Sequence, residues 1–304
     1  MTLYTHQSSN IAKTWFLMAV FLVVIIFIGW FISQYYQSPQ ILYFAVGFSI
    51  FMNIISYWYS DKIVLALNHA RPVEFKENPE LYRIVENLCI TAGLPVPKIY
   101  IIQDQSPNAF ATGRNKDHAV IALTSGLIDI LDRSELEGVI SHELSHIGNR
   151  DILLSTVISI LVGFIALLSD WFLRSSFFGG RRSNDRNNNQ LGAILMIVGI
   201  ILVILSPVIA TLMQLAISRR REFLADATGA LITRYPDGLA SALEKISKFP
   251  VGLAYANNST AHLFIANPFK ADVKGIKQAS WLSKLFMTHP PIQERINILR
   301  EMSV

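Results

Sequence analysis

The chain is poor in cysteine and in charge, and each shortage closes off a class of protein. Cys89 stands alone among 304 residues, so no disulfide can form within the chain and no cysteine cluster can hold a metal. Charged residues make up only 16%, low for a soluble domain. The net charge of +4 is small and spread along the chain, which argues against nucleic acid as a partner. No segment repeats at a fixed period, which excludes repeat architectures. What fills the chain is apolar: 52% of residues are hydrophobic and the mean hydropathy is +0.39.

That excess gathers into four blocks. Trp15–Ile32 and Ile41–Tyr59 carry no charge and are long enough to cross a bilayer core. Ile152–Trp171 has only Asp170, near its end, and Leu191–Ile217 is charge-free and the longest. One such block could be a buried core helix; four in a chain of this size indicate an integral membrane protein. No small-residue cleavage site follows the first block, so it reads as an uncleaved anchor rather than a signal peptide. The loop Ser33–Gln40 has no Lys or Arg, whereas Lys13 and Lys62 flank the pair. The positive-inside bias then keeps both ends of this hairpin in the cytoplasm.

The expected organisation follows. A polar, mobile arm (1–14) precedes a transmembrane hairpin (15–59, spans 15–32 and 41–59). A catalytic region (60–151) comes next, then a second hydrophobic hairpin (152–217, blocks 152–171 and 191–217), joined by a Gly/Asn/Ser-rich connection at 174–190. A C-terminal region (218–304) ends the chain. Within the soluble parts, Asn78-Pro79 caps a helix through Ala92, with Gly93 as its stop. Cys89 falls on that helix as a core thiol. Lys98–Ile102 and His118–Leu123 read as strands, Asn108–Ala111 as a further extended piece, and Asp237–Phe249 and the segment after Pro291 as helices.

The chemistry centres on His142-Glu143-Leu144-Ser145-His146. Ser134 and Glu137 suggest a capping box, so a helix begins there. On a helix the two histidines lie one turn apart on the same face, close enough for one metal ion, with Glu143 beside it as a base. Chance alone would give this pattern in roughly 1% of chains this long. Leu136, Val139, Ile140 and Ile147 supply an apolar stripe that an accident would lack. A catalytic zinc takes three protein ligands. Glu222 and Asp226, four apart, offer the third ligand and a partner for a zinc histidine; an ordinary membrane-flanking charge cluster is the competing reading. Two hydrophobic blocks lie between the motifs, so an even number of crossings returns Glu222 to the histidines. His6, His69, His118 and His262 lack ligand spacing and read as surface or loop residues.

Taken together, HELSHIGNRD (His142–Asp151), REFLAD (Arg221–Asp226), PNAFATG (Pro107–Gly113) and THPPIQERI (Thr288–Ile296) resemble the HtpX membrane zinc endopeptidases. These are gluzincins related to the CAAX prenyl proteases. The resemblance implies an α-helical membrane protein with an α+β zincin-like catalytic domain, mostly helical, with a small sheet beside the HExxH helix. It implies one Zn2+ on His142, His146 and Glu222, Glu143 as general base and Asp226 as partner of a zinc histidine. His289 would stabilise the oxyanion, and Asn108 and Ala109 would hold substrate backbone at a strand edge. The implied partners are polypeptide substrates, above all damaged membrane proteins, and the lipid bilayer, with no nucleic acid. The implied location is the bacterial cytoplasmic (inner) membrane, with the catalytic domain facing the cytoplasm. Two rivals stay open: an intramembrane protease, disfavoured by the charges Asp129, Asp132, Arg133, Glu135 and Glu137, and a non-enzymatic scaffold.

Overall fold

The computed structural model describes residues 3–164, 199, 219–254, 260–268 and 290–302. The connection at 174–190, the end of the third apolar block, almost all of the fourth and His289 lie outside the described residues. Two helices come first, α1 (Leu3–Tyr36) and α2 (Pro39–Trp58), each long and apolar enough to cross a membrane. The expected polar arm at 1–14 is corrected: α1 already begins at Leu3, and Asn10 and Thr14 are buried. Asn10 Nδ2 donates to the Asn149 carbonyl at 3.3 Å, so Asn10 faces the catalytic domain instead of water, and Thr14 donates to the Asn10 carbonyl of its own helix. The loop is also shorter than expected. Only Gln37 and Ser38 separate the helices, because Pro39 starts α2 at once.

The outer faces of the hairpin carry Trp15, Phe16, Val23, Tyr43 and Phe44, all more than half exposed, as a lipid-facing surface requires. Asn53 turns inward and donates to the Met18 carbonyl. Just past α2, Lys62 lies 5.3 Å from the Tyr59 ring, and the Arg114 guanidinium sits 4.6 Å over Trp58. Such cation–aromatic pairs suit a membrane–water boundary.

After α3 (Ser60–Leu67), the sheet begins with β1 (Arg71–Pro72) and continues after α4 (Pro79–Ala92). Asn78 caps α4 by accepting from the Leu81 amide, and Gly93, at φ 64°, ends it in the left-handed region that glycine adopts freely. The remaining strands are β2 (Lys98–Ile102), β3 (Ala109–Gly113) and β4 (Ala119–Thr124), in the order β1-β2-β4-β3. β2 runs parallel to β4; the other pairs are antiparallel. Two or three strands were expected. The fourth, β1, has two residues, too few for any periodic signal.

α5 (Ser125–Ile130) leads to α6 (Arg133–Gly148), the HExxH helix. α7 (Ile152–Phe164), the start of the third apolar block, leaves α6 at a bend of 86°. Arg150, at φ 55°, takes the left-handed conformation inside that bend. α7 packs Leu153, Val157 and Leu161 against Met18 and Phe21 of α1. The chain resumes with α8 (Arg219–Thr233) and α9 (Pro236–Lys248), and ends with α10 (Ile292–Glu301). Ile121 and Leu123 of the sheet, Val139, Ile140 and Leu144 of α6, Leu243 of α9 and Leu299 of α10 share one core. α6 therefore packs inside a folded domain, against the sheet, α8 and α9. That disfavours the intramembrane rival.

Candidate metal centre

The metal helix is anchored by its first turn. Its capping box is Asp132 with Glu135, two residues earlier than Ser134 with Glu137. The reason is local: Asp132 takes the extended conformation and accepts from the Glu135 amide at 3.0 Å, while Ser134 is already helical and bonds Asp132. Lys245 of α9 reaches Glu135 at 2.6 Å and ties the cap to the neighbouring helix. Further along, Gly138 and Gly229 let helices approach α6 closely. A Cβ at Gly138 would lie 2.6 Å from the Leu239 amide nitrogen, and one at Gly229 would lie 3.1 Å from that of His142. The second approach brings Glu222 and Asp226 of α8 over the two histidines.

His142 Nε2 and His146 Nε2 lie 3.1 Å apart. Glu222 Oε2 is 3.9 Å from the first and Oε1 is 3.7 Å from the second. One ligand atom from each residue falls within 4.8 Å of the others. The outer ring nitrogens are fixed as a ligand pair requires: His142 Nδ1 lies 2.9 Å from Asp226 Oδ1, and His146 Nδ1 lies 3.0 Å from Asp151 Oδ2. Each carboxylate holds a proton on Nδ1 and aims Nε2 at the shared point. Two ligands on a tetrahedral zinc would stand about 3.3 Å apart. The donor set fits one such cation.

Electrostatics separate the roles. Burial pushes the Glu143 carboxyl up to about 7, the neighbouring Glu222 adds to this, and His146, Arg295 and the Ala111 amide oppose it. A carboxyl poised there suits a base near neutral pH. Burial lowers His142 despite Asp226. Burial opposes the charge of His146 too, but Asp151, with Glu222 and Glu143, pushes it up to about 10.

Several residues here escaped the sequence reading. Arg295 of α10 is fully buried and grips Asp226 with Nε and Nη2 at 2.8 and 2.7 Å. Its Nη1 donates to the Ile265 carbonyl at 3.0 Å. It lies within the quoted THPPIQERI segment, but nothing in a one-dimensional pattern aims it at Asp226. Asp151 lies in the HELSHIGNRD segment, and its role emerges only at the bend. His262, read as a surface or loop residue, is corrected: it is buried, lines the cleft with His142, Glu143, His146 and Glu222, and contacts Ser159 Oγ at 3.1 Å. It lacks ligand spacing because it arrives on a separate short 3-10 turn, Ala261–Leu263. Asn108 is buried: its amide exchanges hydrogen bonds with Ala266, and the Ala109 carbonyl accepts from Ile265 at 2.9 Å. The Asn108 main chain is taken up by Thr124 and the Ala109 amide by Asn108 Oδ1, so the backbone groups of these two residues are engaged by the chain itself.

With this geometry established, comparison with known proteins gives a consistent answer. The model of peptidase family M48 matches residues 75–303. A protease HtpX homolog of Caldanaerobacter subterraneus subsp. tengcongensis is 44% identical over 307 residues, covering 100% of this chain and 99% of that protein. The homolog of Pyrococcus furiosus is 46% identical over 294 residues, with 96% of each chain covered. Among solved structures, the crystal structure of S. mikatae Ste24p superposes with a TM-score of 0.51 at 19% identity, covering 97% of this chain and 67% of that one, a likeness of fold. The chain belongs to peptidase family M48 and is a membrane metalloprotease.

Proposed function

We propose that this protein is a zinc-dependent endopeptidase of the bacterial cytoplasmic membrane, with its catalytic domain on the cytoplasmic side, that hydrolyses peptide bonds in damaged or misassembled membrane proteins. The observation that carries the reading is the convergence of His142, His146 and Glu222 on one point, with buried Glu143 beside it. His142, His146 and Glu222 would hold the ion. A zinc ion there supplies Lewis-acid polarisation of the scissile carbonyl and acidifies water.

The remaining steps belong to the chain. Glu143 takes a proton from the attacking water and returns it to the leaving amine. Asp226, gripped by Arg295, keeps His142 in one tautomer, and Asp151 does the same for His146. His289 is the proposed donor to the oxyanion. Two apolar helices, with cation–aromatic pairs just past α2, support placement at a bilayer. The hairpin's flanking Lys13 and Lys62 support the cytoplasmic orientation.

The test is cleavage of an unfolded protein by the detergent-purified wild type and Glu143→Gln, both loaded with zinc. Cleavage by the wild type alone, with a loss of about 10²–10⁴-fold in the variant, supports the assignment. Equal cleavage by both would remove Glu143 from the chemistry.

A further inference from the structure

Three polar atoms in the cleft are left over by the network that holds the metal ligands. Arg221 Nη1 and Nη2 are both shielded from solvent and make no hydrogen bond among the described residues, and the same holds for Asp151 Oδ1. Arg221 comes from the first turn of α8 and Asp151 from the bend before α7, yet both line the cleft that contains His142, Glu143, His146 and Glu222. Native proteins keep few such orphaned groups, because an unpaired buried donor or acceptor is costly, and a charged one more so. A pair of free donors and a free acceptor in one cleft complement a ligand that both accepts and donates. A bare carboxylate fits poorly, since Asp151 and Glu222 would repel it. A peptide main chain fits.

At the start of the strand edge, the two residues expected to hold substrate are already engaged. The Asn108 amide is paired with Ala266 and the Ala109 carbonyl with Ile265. Phe264 and Ile265 are each 1% exposed and belong to the hydrophobic core, so this segment is a fixed wall of the cleft. We infer that Arg221 and Asp151 form the site that holds the substrate main chain beside the metal centre. A peptide carbonyl accepts from Arg221, and a peptide N–H donates to Asp151 Oδ1. Because Asp151 Oδ2 already lies 3.0 Å from His146 Nδ1, one carboxylate joins the bound peptide to a metal ligand. The inference rests on the polypeptide reading above.

The experiment uses the full-length, zinc-loaded Glu143→Gln protein in detergent and a fluorescent peptide of a sequence that the wild type cleaves. Binding is read by anisotropy for the parent peptide and for analogues in which one backbone N–H at a time is replaced by an ester oxygen. One analogue is expected to bind about tenfold or more weakly than the parent, as for loss of a hydrogen bond to a charged group. Adding Asp151→Val, with zinc content checked, should abolish that difference and leave the other analogues unchanged relative to the parent. Adding Arg221→Met should weaken the parent about tenfold or more, with Arg221→Lys intermediate. If Arg221→Met fails to fold, the ester series on Asp151 decides the matter. An ester effect that persists in Asp151→Val, or unchanged parent binding in folded Arg221→Met, overturns the inference. If the wild type cleaves no peptide, the polypeptide reading itself fails.

Discussion

His142 and His146 sit one turn apart on one helix, yet their outer nitrogens are held by different kinds of structure. His146 leans on Asp151, five residues away, at the bend between α6 and α7, and its side chain is 17% exposed. His142 leans on Asp226 of α8, which is gripped in turn by Arg295 of the last helix, and all three are buried. One histidine is oriented by local chain geometry. The other is oriented only when three distant segments have docked. Half of the centre is therefore a property of a motif, and half is a property of the completed fold.

The comparison is broken most severely on the long-range side. Arg295→Met would leave Asp226 charged and buried without its cation, at a cost of about 3–5 kcal/mol. Denaturant unfolding of the metal-free protein checks this. The double variant Arg295→Met/Asp226→Asn should recover a large part of the loss, because the uncompensated charge is gone. Acid offers a second handle on the same pair. Burial works against the Asp226 charge, but Arg295 and His142 hold its carboxyl at about 2, below its ordinary 3.8. The stabilisation is therefore complete above about pH 4 and disappears as the pH falls towards 2. In a protein lacking both partners, that acid limb should flatten.

A smaller effect sharpens the contrast between the two histidines through metal affinity. Removing the partner of a ligating histidine weakens binding by about 10–100-fold. Asp226→Asn should lower both affinity and stability, whereas Asp151→Asn should lower affinity with little change in unfolding free energy. pH separates them further. His146, raised to about 10 in the metal-free protein, must lose its proton to become a ligand. Apparent affinity should climb about tenfold per unit between pH 7 and 9, and Asp151→Asn should flatten that slope by lowering the competing pKa. Competition against a zinc-chelating dye measures both. A slope near zero in the wild type would show that His146 is already neutral.

The same division explains what could be read in the chain. HExxH, the first two spans, the Asn78 cap and the strands at 98–102 and 119–124 are local patterns with a fixed period, so the sequence displays them directly. Glu222 and Asp226 are legible as candidates because their spacing mirrors that of the histidines, and the structure places both beside that pair. Arg295 and His262 have no such signature. Their place depends on how α10 and the 260–268 segment close over α6, which is fixed by the packing of Leu299, Phe264 and Ile265. Even the polar N-terminus was misjudged for this reason. Asn10 finds its partner at Asn149, in the catalytic domain, and no feature of its immediate neighbours announces that.

The mildest perturbation lies at the start of the metal helix, where the local half of the centre begins. Asp132 caps α6 by accepting from the Glu135 amide, and Glu135 returns the bond to the Asp132 amide at 2.9 Å. Asp132→Ala should cost about 1 kcal/mol, and Ser134→Ala distinctly less, since Ser134 contributes only a bond to Asp132. Both residues sit about two to three turns before the first ligand, on a helix already buried between the sheet, α8 and α9, so zinc affinity should be unchanged in each. Thermal unfolding of the metal-free variants ranks the two costs, and the dye competition checks the ligands. A larger loss in Ser134→Ala would restore the register read from sequence. A loss of affinity in Asp132→Ala would mean that the local half of the centre also depends on docking at a distance, and the contrast between the two histidines would narrow.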